Sequence, residues 1–98
     1  MVEINWTREA QVWLKDIYSY IAIDNPDAAQ RTIAGIVARV QLLKTHPRLG
    51  HRHEAELSRE VRILLYGHYR IAYLIKSENC IDILGVFHGS LSIERYLL

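Results

Sequence analysis

The sequence predicts an α+β fold in which an N-terminal strand and an antiparallel αα-hairpin pack on an antiparallel β-meander, in the order β-α-α-β-β-β. Apolar residues recur every three or four positions from residue 7 to about residue 46, as they do along one face of a helix. From residue 59 onward the period changes to two, which is the period of a strand. A short helix is expected to follow the meander, over residues 91–98.

The N-terminal segment predicts a strand and then a helix. Apolar and polar side chains alternate at first, so that Val2, Ile4 and Trp6 share one face of a strand. Thr7 is a good N-cap, and Glu9 lies in the first turn, where the helix dipole favours an acidic side chain. The core-facing stripe of this helix is expected to be Ala10, Trp13, Leu14, Ile17, Tyr20 and Ile21.

A second helix is predicted to follow almost at once. Asn25 can cap its free amides, and Pro26 fits its first position, where a missing N–H has no cost. So short a connection makes the two helices antiparallel. Gly35 lowers the stability of the second helix by roughly 1 kcal/mol relative to Ala, which indicates either a close helix approach or simple tolerance. Pro47 ends the helix near His46.

Three strands are predicted after a turn at residues 47–50 and a polar surface loop from His51 to Ser58. A three-residue connection containing Gly67 joins the first two strands, and residues 76–79 join the last two. Symmetric hairpins would give one face with Arg62, Leu64, Arg70, Ala72, Leu74, Ile83, Gly85 and Phe87, and another with Tyr69, Ile71, Tyr73, Leu84, Val86 and His88. The second face is expected to take the helices, because two arginines buried beneath them would need partners.

Composition limits the class of protein. The 98 residues form one domain, 1–98, because so short a chain has no material for a second core. No apolar run approaches the ~20 residues of a membrane span, and charges throughout residues 1–20 are unlike a signal peptide, so a cytoplasmic protein is expected. A net charge of +1 requires that any contact with nucleic acid be local. Cys80 is the one cysteine and cannot form an internal disulfide.

Six short segments of the chain form a pattern through their order and spacing. They are Trp6-Thr7, residues 17–22 with Asn25-Pro26-Asp27-Ala28-Ala29, His46-Pro47-Arg48-Leu49-Gly50, Arg62-Ile63-Leu64, residues 67–73, and residues 83–89. In this order and spacing the chain resembles the ParE branch of the RelE/ParE toxin superfamily, from about residue 2 to residue 89. The resemblance implies the toxin of a type II toxin–antitoxin (plasmid stabilisation) module. It also implies a small ParD-like antitoxin, encoded beside the toxin, that neutralises it and alone contacts operator DNA.

The resemblance leaves the target open, since ParE members block DNA gyrase and trap cleaved DNA whereas RelE members cut messenger RNA on the ribosome. RNA cleavage without a metal needs a base, an acid and cations around the phosphate. Of the RelE pattern the chain has Arg70, and Ser90-Leu91-Ser92 supplies no basic residue after the last strand. A non-catalytic gyrase inhibitor that acts by protein–protein contact is therefore expected. The alternatives are a RelE-type endoribonuclease and an inactivated toxin that acts only in the antitoxin and operator complex.

Seven residues are expected to bind the target or the antitoxin: Arg62, Tyr69, Arg70, Tyr73, His88, Arg95 and Tyr96. In a ribonuclease, Arg62, Arg70, His88 and Tyr96 would be the catalytic residues. Structural alternatives stand beside these roles, because Arg70 could pair with Asp82 or Glu94, and Arg62 could be a solvated edge residue. His88 could equally be a strand-end histidine without a function. The outer helix positions Val12, Tyr18 and Ile23 are expected to leave apolar surface for the antitoxin.

No cofactor and no metal is expected. His51, His53, Glu54 and Glu56 have a metal-like spacing, but a structural zinc site needs four ligands in a tight frame. These residues lie in a polar loop, so the sequence predicts no metal site there.

Overall fold

The computed structural model of the chain describes residues 1–54 and 57–89. Its five strands are β1 (Glu3–Trp6), β2 (His51–Arg52), β3 (Val61–Tyr66), β4 (Tyr69–Ser77) and β5 (Cys80–His88), and its helices are α1 (Arg8–Ala22) and α2 (Pro26–Gln41). A 3₁₀ turn, Leu42–Lys44, continues α2. The predicted α+β fold is confirmed, whereas the C-terminal helix predicted over residues 91–98 lies outside the described residues.

Both helices begin at the predicted caps. The Thr7 side chain accepts a hydrogen bond of 3.2 Å from the Ala10 amide, and the Asn25 side chain accepts one of 3.0 Å from the Ala28 amide. Thr7 also joins α1 to the sheet, because its hydroxyl donates to the Ile83 carbonyl oxygen over 2.6 Å. A single residue therefore ends the pairing of β1 and starts the first helix.

The sheet has the order β1-β5-β4-β3-β2. β1 pairs in parallel with β5, although neither strand neighbours the other in sequence. β2 lies in a segment that was predicted to be loop, and it pairs antiparallel with β3 so that Arg52 is opposite Arg62. Arg62 is therefore in an internal strand, and the interpretation of it as an edge residue is wrong.

The hairpin between β3 and β4 is shorter than predicted. Tyr66 still belongs to β3 and lies directly opposite Tyr69, so only Gly67 and His68 form the turn. Gly67 has a φ of +57°, which glycine adopts without strain. Because side chains alternate between faces, a register change of one residue exchanges the two faces of a strand. Arg62 is opposite Tyr73 on one face and Leu65 is opposite Arg70 on the other, so the prediction that Arg62 and Arg70 share a face is wrong.

The hairpin between β4 and β5 has the predicted register up to a β-bulge. Arg70 is opposite Phe87 and Ile71 is opposite Val86, as expected. The register then shifts by one residue, so that Tyr73 is opposite Ile83 and Leu84 has no cross-strand partner. Ile83 is therefore on the face of Tyr73, and Leu84 packs with the opposite face, which reverses the predicted positions of both residues.

The main core lies between the helices and the sheet face that was predicted to take them. Its fully buried residues include Ile36, Val40 and Leu43 from the helical part, together with Ile71, Tyr73, Ile81, Ile83 and Val86 from the sheet. A smaller cluster of Ile63, Ala72 and Phe87 lies on the opposite face. Trp13 packs against both clusters, with its ring 4.8 Å from that of Phe87. None of the helices in the described part of the chain is long and apolar enough to cross a membrane.

Candidate partner-binding site

Two aromatic side chains mark the end of the sheet where β4 begins and β5 ends. Tyr69 is opposite His88 across the two strands, and their rings meet edge to face with centroids 5.8 Å apart. The His68 ring, from the β3–β4 turn, also stacks on His88, with ring centroids 6.3 Å apart. We call Tyr69 and His88 the ridge, because a separate open concavity lies on each side of them.

The first concavity is an apolar groove of about 450 Å³ between the ridge and α1. The helix contributes Trp13, Asp16, Ile17, Tyr20 and Ile21 to its lining. Tyr20 was predicted to face the core, but 79% of its surface is exposed, so that prediction is wrong. An apolar side chain of a partner could fill this groove, with Asp16 available to a cation or a hydrogen-bond donor.

The second concavity, which we call the basic hollow, is about 370 Å³ in volume and lies between the ridge and the turns at residues 67 and 89. Its lining residues beside the ridge are Leu65, Gly67, His68, Arg70 and Gly89. The Arg70 Nη2 atom donates to the Gly89 carbonyl oxygen over 3.2 Å, and the Gly89 amide donates to the His68 carbonyl oxygen over 2.7 Å. Arg70, His68 and His88 are the basic side chains among the described residues that line the hollow.

Two of the predicted contact residues, Arg62 and Tyr73, lie away from the ridge and hold a loop. The buried Tyr73 hydroxyl accepts a hydrogen bond of 3.0 Å from the Gly50 amide and donates one of 2.8 Å to the Pro47 carbonyl oxygen. Arg62 donates to the Gly50 carbonyl oxygen over 2.7 Å. We call this arrangement the loop clasp, and its geometry gives both side chains a structural role.

A carboxylate completes the loop clasp. Glu60 accepts hydrogen bonds from Arg62 at 2.8 Å and from Arg48 at 3.0 and 3.1 Å. These hydrogen bonds hold the pKa of Glu60 below its ordinary value, and the one from Arg62 has the largest effect. Burial raises the pKa of Tyr73, although the hydrogen bond from the Gly50 amide acts in the opposite direction. Only 18% of the Arg62 side chain is exposed, so the residue is not the solvated one that the sequence suggested.

The remaining predicted residues separate into those at the ridge and those outside the described chain. Tyr69, Arg70 and His88 converge on the ridge and the basic hollow, whereas Arg95, Tyr96 and Glu94 lie outside the described residues. Asp82, the other suggested partner of Arg70, contacts Lys76 at 3.5 Å and Asn5 at 3.1 Å. No three His, Cys, Asp or Glu side chains within residues 1–54 and 57–89 lie together as potential metal ligands.

Sequence reasoning missed what α1 and the β3–β4 turn contribute to the site. The α1 residues Trp13, Ile17, Tyr20 and Ile21, which line the apolar groove, were assigned to the core, and His68 and Leu65 were not considered. One signal was available for α1, because Tyr18 and Tyr20, with Ile23 directly after the helix, lie on more faces than one core-facing stripe can bury. For His68 no such signal exists, because its contact with His88 depends on the register of two hairpins.

The described residues form an α+β fold with two open concavities at one end of its sheet. The chain matches the family model described as the ParE toxin of the type II toxin–antitoxin system parDE over residues 4–92, and it belongs to this family. The ParE resemblance of the sequence is thereby confirmed.

Two similar proteins agree with this assignment. Y4kP of Sinorhizobium fredii, which is named provisionally as a toxin, is 36% identical over 86 residues, covering 88% of this chain and 86% of that protein. A chain in the solved structure of the chromosomal ParDE TA system from P. aeruginosa superposes with a TM-score of 0.74 at 26% identity, over 90% of this chain and 96% of that one.

Proposed function

We propose that this ParE-family toxin inhibits DNA gyrase in the cytoplasm by protein–protein contact and is neutralised by a ParD-like antitoxin encoded beside it. The observation that carries the proposal is the ridge, which presents an apolar groove and a basic hollow side by side at one end of the sheet. Both concavities are open, as expected of a surface that contacts macromolecules rather than one that encloses a small substrate.

The exposed apolar surface of α1 and of Ile23, which directly follows the helix, supports the antitoxin part of the proposal. Val12, Tyr18, Tyr20 and Ile23 are all exposed, as the sequence predicted for three of them. A disordered antitoxin tail could cover this surface by folding on it as a helix or an added strand. The ParDE assembly of the P. aeruginosa relative makes such a partner the natural candidate.

Co-purification tests this part directly. A tagged form of the chain should retain the product of the adjacent reading frame through size-exclusion chromatography. An unrelated small acidic protein, expressed in the same way, serves as the control. A soluble monomer with no affinity for the neighbouring product would contradict the proposal.

Gyrase inhibition is tested with purified components. Added toxin should reduce DNA supercoiling by gyrase and should cause cleaved DNA to accumulate, and prior incubation with the antitoxin should prevent both effects. Normal supercoiling in the presence of a toxin that still arrests growth would exclude gyrase as the target.

One observation favours a second candidate, a ribosome-dependent endoribonuclease. His68, Arg70 and His88 surround the basic hollow, and imidazole and guanidinium groups are suited to proton transfer and to stabilising the charge on a phosphate. Arg62 belongs to the loop clasp, so of the described residues only Arg70 and His88 of the predicted catalytic set reach this hollow. Rapid loss of messenger RNA alongside normal supercoiling would favour this function over gyrase inhibition.

A further inference from the structure

Gly35 of α2 leaves a space that the side chain of Tyr66 occupies. A Cβ atom added at Gly35 would overlap the Tyr66 hydroxyl and Cζ atoms and would lie 3.1 Å from Cε1. The sequence suggested either a close helix approach or simple tolerance for this glycine. The approaching group is instead the aromatic side chain of a strand, and it requires the absence of a side chain at Gly35.

Arg39, one turn further along α2, contacts the same strand end. Its guanidinium carbon lies 5.5 Å from the centre of the Tyr66 ring, and its Nη1 atom donates to the Leu65 carbonyl oxygen over 3.1 Å. Residues four positions apart lie on the same face of a helix. Gly35 and Arg39 therefore both allow the end of β3 to pack against α2.

Tyr66 is connected to the ridge through a turn of two residues. Tyr66 lies directly opposite Tyr69, and only Gly67 and His68 separate them in sequence. His68 stacks on His88, and its carbonyl oxygen accepts the Gly89 amide hydrogen bond. A Tyr66 ring that is displaced together with its backbone would move this turn, and the turn carries one side of the basic hollow.

We propose that Gly35 is a positioning residue for the partner-binding site, because its missing side chain allows Tyr66 to seat against α2 and so fixes His68, Tyr69 and His88. Alanine would otherwise be the more favourable residue inside a helix. The proposal rests on the proposed function only in assigning a binding role to the ridge. The placement of the ridge by Gly35 can be measured without any partner.

The first test is the substitution Gly35→Ala in the full chain, with the histidine ring resonances observed by NMR. The resonances of His68 and His88 should shift, whereas those of His46 and His51, which belong to the segment before β3, should keep their wild-type positions. Affinity for the product of the adjacent reading frame should fall by about tenfold or more, the change that a free-energy difference of ~1.4 kcal/mol produces. Ala34→Gly is the control, because Ala34 is exposed beside Gly35 and reports helix propensity without contact to Tyr66.

A rescue experiment separates positioning from general damage to the fold. In the double variant Gly35→Ala/Tyr66→Leu the ring that meets the new methyl group is absent, so the His68 and His88 resonances and the affinity should return to those of Tyr66→Leu alone. If Gly35→Ala does not fold, a double variant that folds with the His68 and His88 resonances of Tyr66→Leu supports the proposal, and a folded double variant with different resonances overturns it. Wild-type His68 and His88 resonances in a folded Gly35→Ala protein would overturn the proposal, and so would a double variant no better than the single one. If the wild-type chain binds no partner, the proposed function fails while the resonance shifts still decide the role of Gly35.

Discussion

Tyr73→Phe tests whether the loop clasp stabilises the fold. The substitution keeps the buried ring and removes a hydroxyl that accepts from the Gly50 amide at 3.0 Å and donates to the Pro47 carbonyl oxygen at 2.8 Å. The amide then remains buried without its partner, which costs about 1–3 kcal/mol of unfolding free energy. For a domain of this size each kcal/mol lowers Tm by about 4–8 °C, so a fall of roughly 4–24 °C is expected.

Thermal unfolding followed by circular dichroism measures this effect. Tyr20→Phe is the matched control, because the Tyr20 side chain is largely exposed and loss of its hydroxyl should change the unfolding free energy by no more than about 0.5 kcal/mol. A Tm of Tyr73→Phe equal to that of the control would refute the reasoning. It would mean that other groups hold the loop and that the hydroxyl adds nothing.

The same hydroxyl predicts a pH effect. Burial raises the pKa of Tyr73 above its ordinary value of 10.0, so the folded state holds the proton more tightly than the unfolded state. This difference in pKa contributes unfolding free energy that is fully present below the pKa of Tyr73 in the unfolded state. The contribution is lost as the pH rises through the pKa of Tyr73 in the folded state. Wild-type protein should therefore lose more unfolding free energy than Tyr73→Phe above about pH 10, and parallel alkaline curves would contradict this.

Three further variants test the remaining interpretations. The lowered pKa of Glu60 stabilises the fold above pH 4.5, the ordinary pKa of the group, and this contribution is lost as the pH falls through the folded pKa. Glu60→Gln should therefore make the unfolding free energy depend less on pH in acid, and a pH dependence equal to that of wild type would count against this prediction. Arg70→Ala should keep a Tm near wild type and bind antitoxin but lose toxicity. If Arg70 is instead in a structural ion pair, the variant should lose about 3–5 kcal/mol of unfolding free energy and its toxicity together. Tyr20→Ala should leave Tm unchanged and weaken antitoxin binding, and unchanged binding would remove the apolar groove from the interface.

Local signals were sufficient for most of the secondary structure. Thr7 and Asn25 form the predicted helix caps, and the change of period near residue 60 marks the start of the meander as observed. These features depend on a few neighbouring residues, whose steric and hydrogen-bonding preferences act over one turn or one strand. The resemblance to ParE toxins, which rests on the order of such segments, was confirmed for the same reason.

The candidate site depended on contacts that are distant in sequence. The sequence by itself determined that Tyr69, Arg70 and His88 belong to the last two strands and that Val12, Tyr18 and Ile23 are exposed. Only the tertiary structure decided that Arg62 braces a loop while Arg70 faces the basic hollow, because one residue fewer in the turn at Gly67 exchanges the faces of β3. Alternation along a strand records which residues share a face, but the turn and the bulge decide which face meets the helices and which groups meet at the ridge.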